Sequence, residues 1–108
     1  MDPQIVTVLR LIQDEPHHPW TAGELAARAA MSRSAFTDRF RMLTGESPMR
    51  YVARYRLARA ADLLRTSHAT LLDIAWQTGY SSDVALSKAF RRQFGLPPGL
   101  FRKIGQQR

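Results

Sequence analysis

The chain contains 108 residues, of which 44% are hydrophobic and 23% charged, and its formal net charge is +7. No apolar run approaches the roughly 18 residues that a membrane helix needs, the N-terminus lacks a signal-peptide layout, and the lack of cysteine excludes disulfides and thiolate metal sites. Residues 1–46 carry five arginines against six acidic residues, whereas residues 47–108 carry eleven basic residues against three. These features predict a cytoplasmic, nucleoid-associated protein without membrane contact, and they favour nucleic acid as a polyanionic partner.

Apolar residues recur at helical spacing along the whole chain, which predicts an all-α fold. The first predicted helix spans Gln4 to Gln13, and the stretch DEPHHPW after it contains two prolines that break the helix. The adjacent pair His17–His18 raises the question of a metal site. Because no third ligand lies at a suitable spacing, we interpret the pair as part of a solvent-exposed loop and expect no metal.

The stretch WTAGEL predicts the start of a second helix. Thr21 fits the N-cap and Glu24 the N3 position of a capping box, in which side chains satisfy the free N–H groups of a first turn. Trp20 and Leu25 occupy the two positions of a hydrophobic staple. We expect this helix to run to about Ala29.

A third helix is predicted to follow directly. Ser32 is its expected N-cap, and Phe36, Phe40 and Leu43 are spaced so that they point one way into a core. Gly45 is the predicted stop, since glycine readily adopts the left-handed conformation that ends many helices.

The fourth predicted helix, from about Pro48 to Arg65, is the longest. Ser47 is its expected cap, and proline suits a first helical position. Its core-facing positions are Val52, Leu57, Ala60, Ala61 and Leu64. The arginines expected to face outward are Arg50, Arg54, Arg59 and Arg65.

The same order of features recurs in the second half of the chain. Thr70 and Asp73 resemble another capping box, and Trp76 is expected to pack against its own subdomain rather than to stack on single-stranded bases. A longer helix follows Gly79, and a last short helix is expected to end near Ile104. The predicted core positions of the longer helix are Leu86, Phe90 and Phe94, and its predicted stop is Gly95.

The two halves align as an internal repeat. Five residues recur at an offset of 50, namely Ala35, Phe40, Arg41, Gly45 and Pro48, which match Ala85, Phe90, Arg91, Gly95 and Pro98. Further upstream, residues 24–26 match residues 73–75 at an offset of 49, which places one extra residue in the second turn near Ser82. Each copy reads as a short helix, a tight turn and a longer helix, the pattern of a DNA-binding helix-turn-helix.

With these motifs in place, the sequence resembles the C-terminal DNA-binding domain of the AraC/XylS family of bacterial transcription regulators. The strongest likeness runs from RLARAADLL through LLDIAWQTGYSSDVALSKAFRRQFGLPP, and the first copy, WTAGELAARAAMSRSAFTDRFRMLTGESPMRYV, fits as well. The resemblance implies about seven helices in two homeodomain-like helix-turn-helix subdomains, residues 1–46 and 67–108, joined by a linker helix over residues 47–66. It also implies sequence-specific binding of double-stranded DNA, with the two recognition helices in successive major grooves of an asymmetric site.

Two residues depart from the family pattern. Ala30 stands where the second copy has Gly79 and where the family usually has glycine, so a positive φ there would strain the backbone by roughly 1 kcal/mol. Pro97 stands where the family usually has a Thr or Ser cap, so the last helix is expected to lack a side-chain cap.

Base-reading candidates lie on the predicted recognition helices, opposite the core positions. Arg and Lys can donate to guanine, Asp can accept from the cytosine amino group, Ser and Thr are versatile, and Val can touch a thymine methyl. For Asp38, a carboxylate near phosphates is unfavourable unless it meets a cytosine amino group or an arginine such as Arg41. Each candidate also has a plainer interpretation as an exposed helix residue. The set comprises Arg33, Ser34, Thr37, Asp38, Arg41, Asp83, Val84, Ser87 and Lys88.

Phosphate contacts are expected from basic side chains beside the recognition helices and from hydroxyls and backbone amides at helix starts, which favour anions. The candidates are Ser32, Arg39, Arg50, Ser81, Ser82, Arg91, Arg92, Arg102 and Lys103.

An enzyme is not expected, because the chain shows neither a nucleophile–base–acid motif nor a glycine-rich phosphate loop, and no cofactor is expected. A helical protein-interaction module with degenerate helix-turn-helix units is the competing interpretation. The opening MDPQI suggests a domain excised from a longer regulator, possessing a sensor or dimerisation domain upstream that resembles a cupin. We expect the fragment to be a monomer that binds DNA and no small molecule, with RNA polymerase as a further candidate partner.

Overall fold

A computed structural model describes residues 2–106, and this part of the chain consists of α-helices without strands, as the sequence predicts. None of its helices is long and apolar enough to cross a membrane. The helices are α1 Pro3–Asp14, α2 Ala22–Arg28, α3 Arg33–Thr44, α4 Pro48–Thr66, α5 Leu71–Thr78, α6 Asp83–Phe94 and α7 Pro98–Gln106.

The chain divides into two compact units, Met1–Tyr55 (unit 1) and Arg56–Arg108 (unit 2). Their boundary falls inside α4, so this helix contributes its first half to unit 1 and its second half to unit 2. The division into subdomains 1–46 and 67–108 around a separate linker helix 47–66 stays a prediction.

Unit 1 has a core of aromatic and aliphatic side chains from α1 to α4. Phe36 and Phe40 of α3 are fully buried, with ring centroids 5.7 Å apart, and Val52 of α4 packs into the same cluster. Trp20 is also buried, and its indole N–H donates to the Glu15 carbonyl over 2.8 Å, which satisfies the one polar group of the ring. Burying the ring therefore costs no unmade hydrogen bond.

Unit 2 builds a matching core from the second half of α4 together with α5, α6 and α7. Leu64, Ile74 and Phe90 are fully buried, and the Phe90 ring meets Phe101 of α7 edge-on at 5.2 Å. The core-facing positions predicted for α4 are all buried. Val52 packs in the core of unit 1, and the other four, Leu57, Ala60, Ala61 and Leu64, pack in the core of unit 2.

The predicted N-caps are confirmed, and Asp2 caps α1 in addition. Thr21 and Thr70 each accept the N–H three residues on, over 3.1 Å. Glu24 does not complete the capping box, because its carboxylate accepts from His18 Nε2 at 2.9 Å instead. The His18 ring packs against Trp20 with centroids 4.1 Å apart and the rings tilted by 44°. Both histidines lie in a loop, as predicted, but only His17 is exposed, because the contact with Trp20 leaves His18 half-buried.

Three predicted core residues are exposed. Leu43 is 55% exposed, because it lies at the C-terminal end of α3, at the rim of a groove beside α1. Phe94 is 37% exposed although its ring contacts those of Phe90 and Phe101, since it is the last residue of α6. Trp76 is 60% exposed, because the eight-residue α5 buries a single narrow stripe that Trp76 lies outside.

The turns of the two helix-turn-helix units begin alike and differ in length by the one residue that the repeat predicts. Ala30 adopts φ 56°, and Gly79 occupies the matching position with φ 91°. In the first turn, the Met31 N–H donates to the Ala26 carbonyl over 3.0 Å. In the second, the Tyr80 N–H donates to the equivalent Ala75 carbonyl over 2.8 Å. The extra residue of the second turn is therefore Ser81, just before the Ser82 cap.

Candidate nucleic-acid interface

Helix α3 is fixed at both ends and along one face. Ser32 caps its start by accepting the Ala35 N–H over 3.3 Å, and Gly45 ends it in the left-handed conformation with φ 84°. Because Phe36 and Phe40 anchor the opposite face in the core, the remaining polar side chains are held outward in a defined register.

Helix α6 repeats this construction in unit 2. Ser82 accepts the Ala85 N–H over 3.0 Å, Leu86 and Phe90 are buried, and Gly95 ends the helix with φ 83°. Both α3 and α6 contain twelve residues that begin after a serine cap and end before a left-handed glycine. Residues of α3 and α6 that differ by 50 in number are therefore structurally equivalent.

The base-reading candidates lie on the outward face of these helices. Thr37 and its equivalent Ser87 are half-buried at the edge of the face, and Val84 is 60% exposed. The other candidates are exposed, and they are Arg33, Ser34, Asp38, Arg41, Asp83 and Lys88. The structure thus groups the candidates into one surface on each unit, which is an arrangement suited to reading base edges.

Most of the phosphate candidates remain open to solvent. Besides Arg39, which is exposed but paired, the exposed ones are Ser32, Arg50, Ser81, Arg91, Arg92 and Lys103. Within residues 2–106, the four basic side chains of this group have no acidic side chain within 4.0 Å. Ser32 and Ser82 use their hydroxyl oxygens as helix caps, which leaves the hydroxyl hydrogens as donors.

Arg39 has an intramolecular partner. Its guanidinium donates to the Asp2 carboxylate over 2.9 Å, and this ion pair connects α3 to the start of α1. Partial burial of Asp2 tends to raise the pKa of its carboxyl, but hydrogen bonds from Arg39 and from two backbone N–H groups of α1 hold the pKa below its ordinary value of 3.8. Sequence reasoning missed this pair, because the 37 residues between the partners form no recognisable local spacing.

Arg102 is also engaged inside its unit. Its guanidinium donates to the carbonyl of Leu64 over 3.1 Å and to that of Ser67 over 3.2 Å. These carbonyls lie at the end of α4, where helical backbone acceptors lack partners. Arg102 therefore connects α7 to the end of α4, and no local pattern in the sequence predicts this contact.

A polar cleft of about 390 Å³ opens at the start of α4 in unit 1. Arg41 and Arg50 border it, together with Glu46, whose carboxylate is held by the Arg54 guanidinium at 2.7 Å. This ion pair neutralises the one acidic side chain of the cleft and leaves two cations beside a helix N-terminus. Arg54 was predicted only to face outward, so its contact with Glu46 was missed.

The two units differ strongly in charge. Residues 1–55 carry seven arginines against six acidic residues, a net charge of +1. Residues 56–108 carry nine basic residues against three aspartates, a net charge of +6. Within residues 2–106, no three His, Cys, Asp or Glu side chains come together as a metal-binding group.

Comparison with known proteins identifies the sequence family. A helix-turn-helix domain model matches residues 25–104. An AraC-like transcription regulator of Streptomyces lividans is 44% identical over 94% of this chain, and the regulator AlkR of Acinetobacter baylyi is 40% identical over 95% of it. In both cases the match covers 34% of the relative, so the chain spans about a third of the length of these curated relatives.

Solved structures show the same fold. The DNA-binding domain of the global transcriptional factor AdpA, solved in complex with a target DNA, superposes with a TM-score of 0.93 at 36% identity, covering 99% of this chain and 96% of that one. An AraC-type regulator from Chromobacterium violaceum gives a TM-score of 0.87 at 25% identity, covering 97% of this chain and 94% of that one.

Proposed function

The chain belongs to the AraC family of helix-turn-helix transcription regulators, and from this premise we propose that it binds double-stranded DNA sequence-specifically through α3 and α6 to regulate transcription. It is a binding domain and not an enzyme. The observation that carries the proposal is the duplicated recognition helix: two capped, twelve-residue helices, each anchored by buried side chains and presenting polar side chains outward.

The proposed mode of binding uses both helices of one chain. Each recognition helix enters a major groove, and the two grooves are successive ones on one face of the DNA, about 34 Å apart. Because α3 and α6 present different side chains at equivalent positions, the preferred site is asymmetric. A palindrome would instead require two identical reading surfaces.

Affinity in this proposal comes largely from unit 2. Its net charge of +6 attracts the phosphate backbone, and Arg91, Arg92 and Lys103 are exposed cations without an acidic partner in the described part of the chain. Unit 1 adds the cleft bordered by Arg41 and Arg50. Contacts of this kind fix the position of a protein on DNA, whereas the base-edge contacts of α3 and α6 provide specificity.

The wider setting is also a proposal. The curated relatives are about three times as long as the matched segment, which supports a further sensor or dimerisation domain in the full-length protein. We place the protein in the cytoplasm with the chromosome, with RNA polymerase as a second partner of the bound complex. This chain by itself is expected to be monomeric, since its two units already provide two recognition helices.

Salt dependence of binding tests the proposal. Sites are first selected from a random DNA pool, and the affinity for the winning site is measured between 50 and 200 mM salt. With about six phosphate contacts, the association constant should fall roughly a thousandfold over this range. An association constant that does not change with salt concentration, or a chain that selects no sequence, would favour a helical protein-interaction module instead.

The selected site also tests the mode of binding. One chain should protect two major-groove segments on one face, and the two half-sites should differ in sequence. A symmetric optimum occupied by two chains would contradict the use of both helices by a single chain.

A further inference from the structure

The two recognition helices carry opposite charges at two equivalent positions. At the first position, α3 has Arg33 and α6 has Asp83; at the sixth, α3 has Asp38 and α6 has Lys88. The four side chains are exposed. The order of charges along one helix is therefore the reverse of the order along the other, although their caps, buried anchors and stops coincide.

Helix stability accounts for one of the two carboxylates and not for the other. Asp83 is the first residue of α6, where a negative charge interacts favourably with the helix dipole. Asp38 lies in the middle of α3, beyond the reach of that effect. It caps nothing, and no hydrogen bond to its side chain is found within the described residues.

Asp38 also lacks a cation to neutralise it. Of the five ion pairs found in residues 2–106, none involves Asp38, even though Arg41 follows it by three residues on the same face. A free carboxylate at the centre of a DNA-facing surface is repelled by phosphates. Since no arginine pairs with Asp38 in the described part of the chain, a hydrogen bond from a base is the contact that can offset this repulsion.

We infer that Asp38 is a specificity-determining residue that selects cytosine at one position of the DNA site, an inference that rests on the proposed function. In the major groove, guanine presents the acceptors N7 and O6, and thymine presents the acceptor O4, all of which repel a carboxylate. Adenine offers its N6 amino group but sets the N7 acceptor beside it. Cytosine offers an amino donor with no acceptor alongside, so it suits Asp38 best.

Lys88 provides the complementary half of the inference. It occupies the position in α6 that Asp38 occupies in α3, and an ammonium group donates to the O6 and N7 atoms of guanine. The two half-sites therefore differ at this equivalent position, with cytosine facing Asp38 and guanine facing Lys88. The charge reversal is therefore one physical source of the asymmetry of the site.

Selection from a random DNA pool with the wild-type chain and two variants tests this. Asp38→Lys makes the sixth position of α3 like that of α6, and the preferred base there should change from cytosine to guanine. Asp38→Asn keeps the size of the side chain and adds a donor, and the preference should move to adenine, which Asn can bind through N6 and N7. In each case the cytosine preference, expected to be about tenfold over other bases, should be lost.

Asp14→Lys is the matched control. Asp14 is an exposed acidic residue at the end of α1, so this variant changes the net charge as Asp38→Lys does but lies outside the recognition helix. It should bind all sequences more tightly and leave the base preference unchanged. Circular dichroism checks that each variant remains helical.

The outcomes separate the inference from the proposed function. If the wild-type chain selects no sequence, the proposed function fails. If it selects a site but the Asp38 variants select the same bases and differ only in general affinity, as Asp14→Lys should, the inference fails while DNA binding stands.

Discussion

Ala30 is the one residue in the described part of the chain, glycine aside, with a positive φ, and replacing it with glycine should stabilise unit 1. Its φ of 56° lies in the left-handed region, where the methyl group of an L-residue crowds the backbone. The matching residue of unit 2 is Gly79, which occupies this conformation without a side chain.

The expected gain follows from two opposing effects. Relieving the left-handed strain of a single L-residue is worth roughly 1–2 kcal/mol. Glycine also makes the unfolded chain more flexible, which offsets roughly 0.4–1 kcal/mol of that gain. Ala30 is exposed, so removing its methyl group sacrifices no core packing. The net increase in the free energy of unfolding should be about 0.5–1 kcal/mol.

Tryptophan fluorescence can follow unit 1 selectively during urea denaturation. Trp20 is 3% exposed in the core of unit 1, whereas Trp76 is 60% exposed in unit 2. A Trp76→Phe background leaves Trp20 as the single indole, and its emission reports the loss of the unit 1 core. Ala30→Gly should raise the transition midpoint without changing the slope, because the buried surface is unchanged.

Gly79→Ala is the reciprocal control, and it should lower the free energy of unfolding of unit 2, because Gly79 has φ 91° and alanine is strained there. A stability that stays the same or falls in Ala30→Gly would refute the strain argument for unit 1. It would mean that the flexibility of glycine in the unfolded chain outweighs the relief of strain.

Two further predictions concern residues that the structure engages internally. Arg102→Met keeps the apolar stem but removes two hydrogen bonds to the end of α4. Urea denaturation should show a free energy of unfolding that is lower by about 1–3 kcal/mol. Unchanged stability together with a weaker salt dependence of DNA binding would show that Arg102 contacts a phosphate instead. Asp2→Asn keeps the N-cap but loses the ion pair with Arg39. The pKa of Asp2 is depressed in the folded state, so its ionised carboxylate stabilises the fold above pH 3.8, and this stabilisation is lost as the pH falls through 3.8 and below. When stability is measured against pH, the wild type should therefore lose more free energy of unfolding in this range than the variant. Parallel curves would contradict the prediction.

Features set by neighbouring residues in the sequence could be predicted. The caps at Thr21, Ser32 and Thr70 and the left-handed stop at Gly45 depend only on the residues of a single turn, and the structure confirms them. The positive φ of Ala30 could be anticipated because the repeat aligns it with glycine.

Features set by which elements cover one another could not. Helical spacing correctly predicted the burial of the residues one turn earlier, Phe40 and Phe90. Leu43 and Phe94 continue the same spacing, but they lie at or near helix ends that the neighbouring helices leave uncovered. Trp76 is apolar and yet exposed, and periodicity in an eight-residue helix is too short to assign its face. The ion pair of Arg39 with Asp2 joins separate helices, so its formation depends on their packing and not on spacing.

The repeated architecture explains how the candidate reading surfaces could diverge. The serine caps, the buried Phe40 and Phe90, and the glycine stops hold α3 and α6 in the same register without using their outward side chains. Substituting an outward residue such as Asp38 or Lys88 therefore removes no core contact, and surface substitutions of this kind usually change stability by about 0.5 kcal/mol or less. A reversal of charge at one register position can then change the preferred base in one half-site alone, because the scaffold that holds the helix does not depend on it.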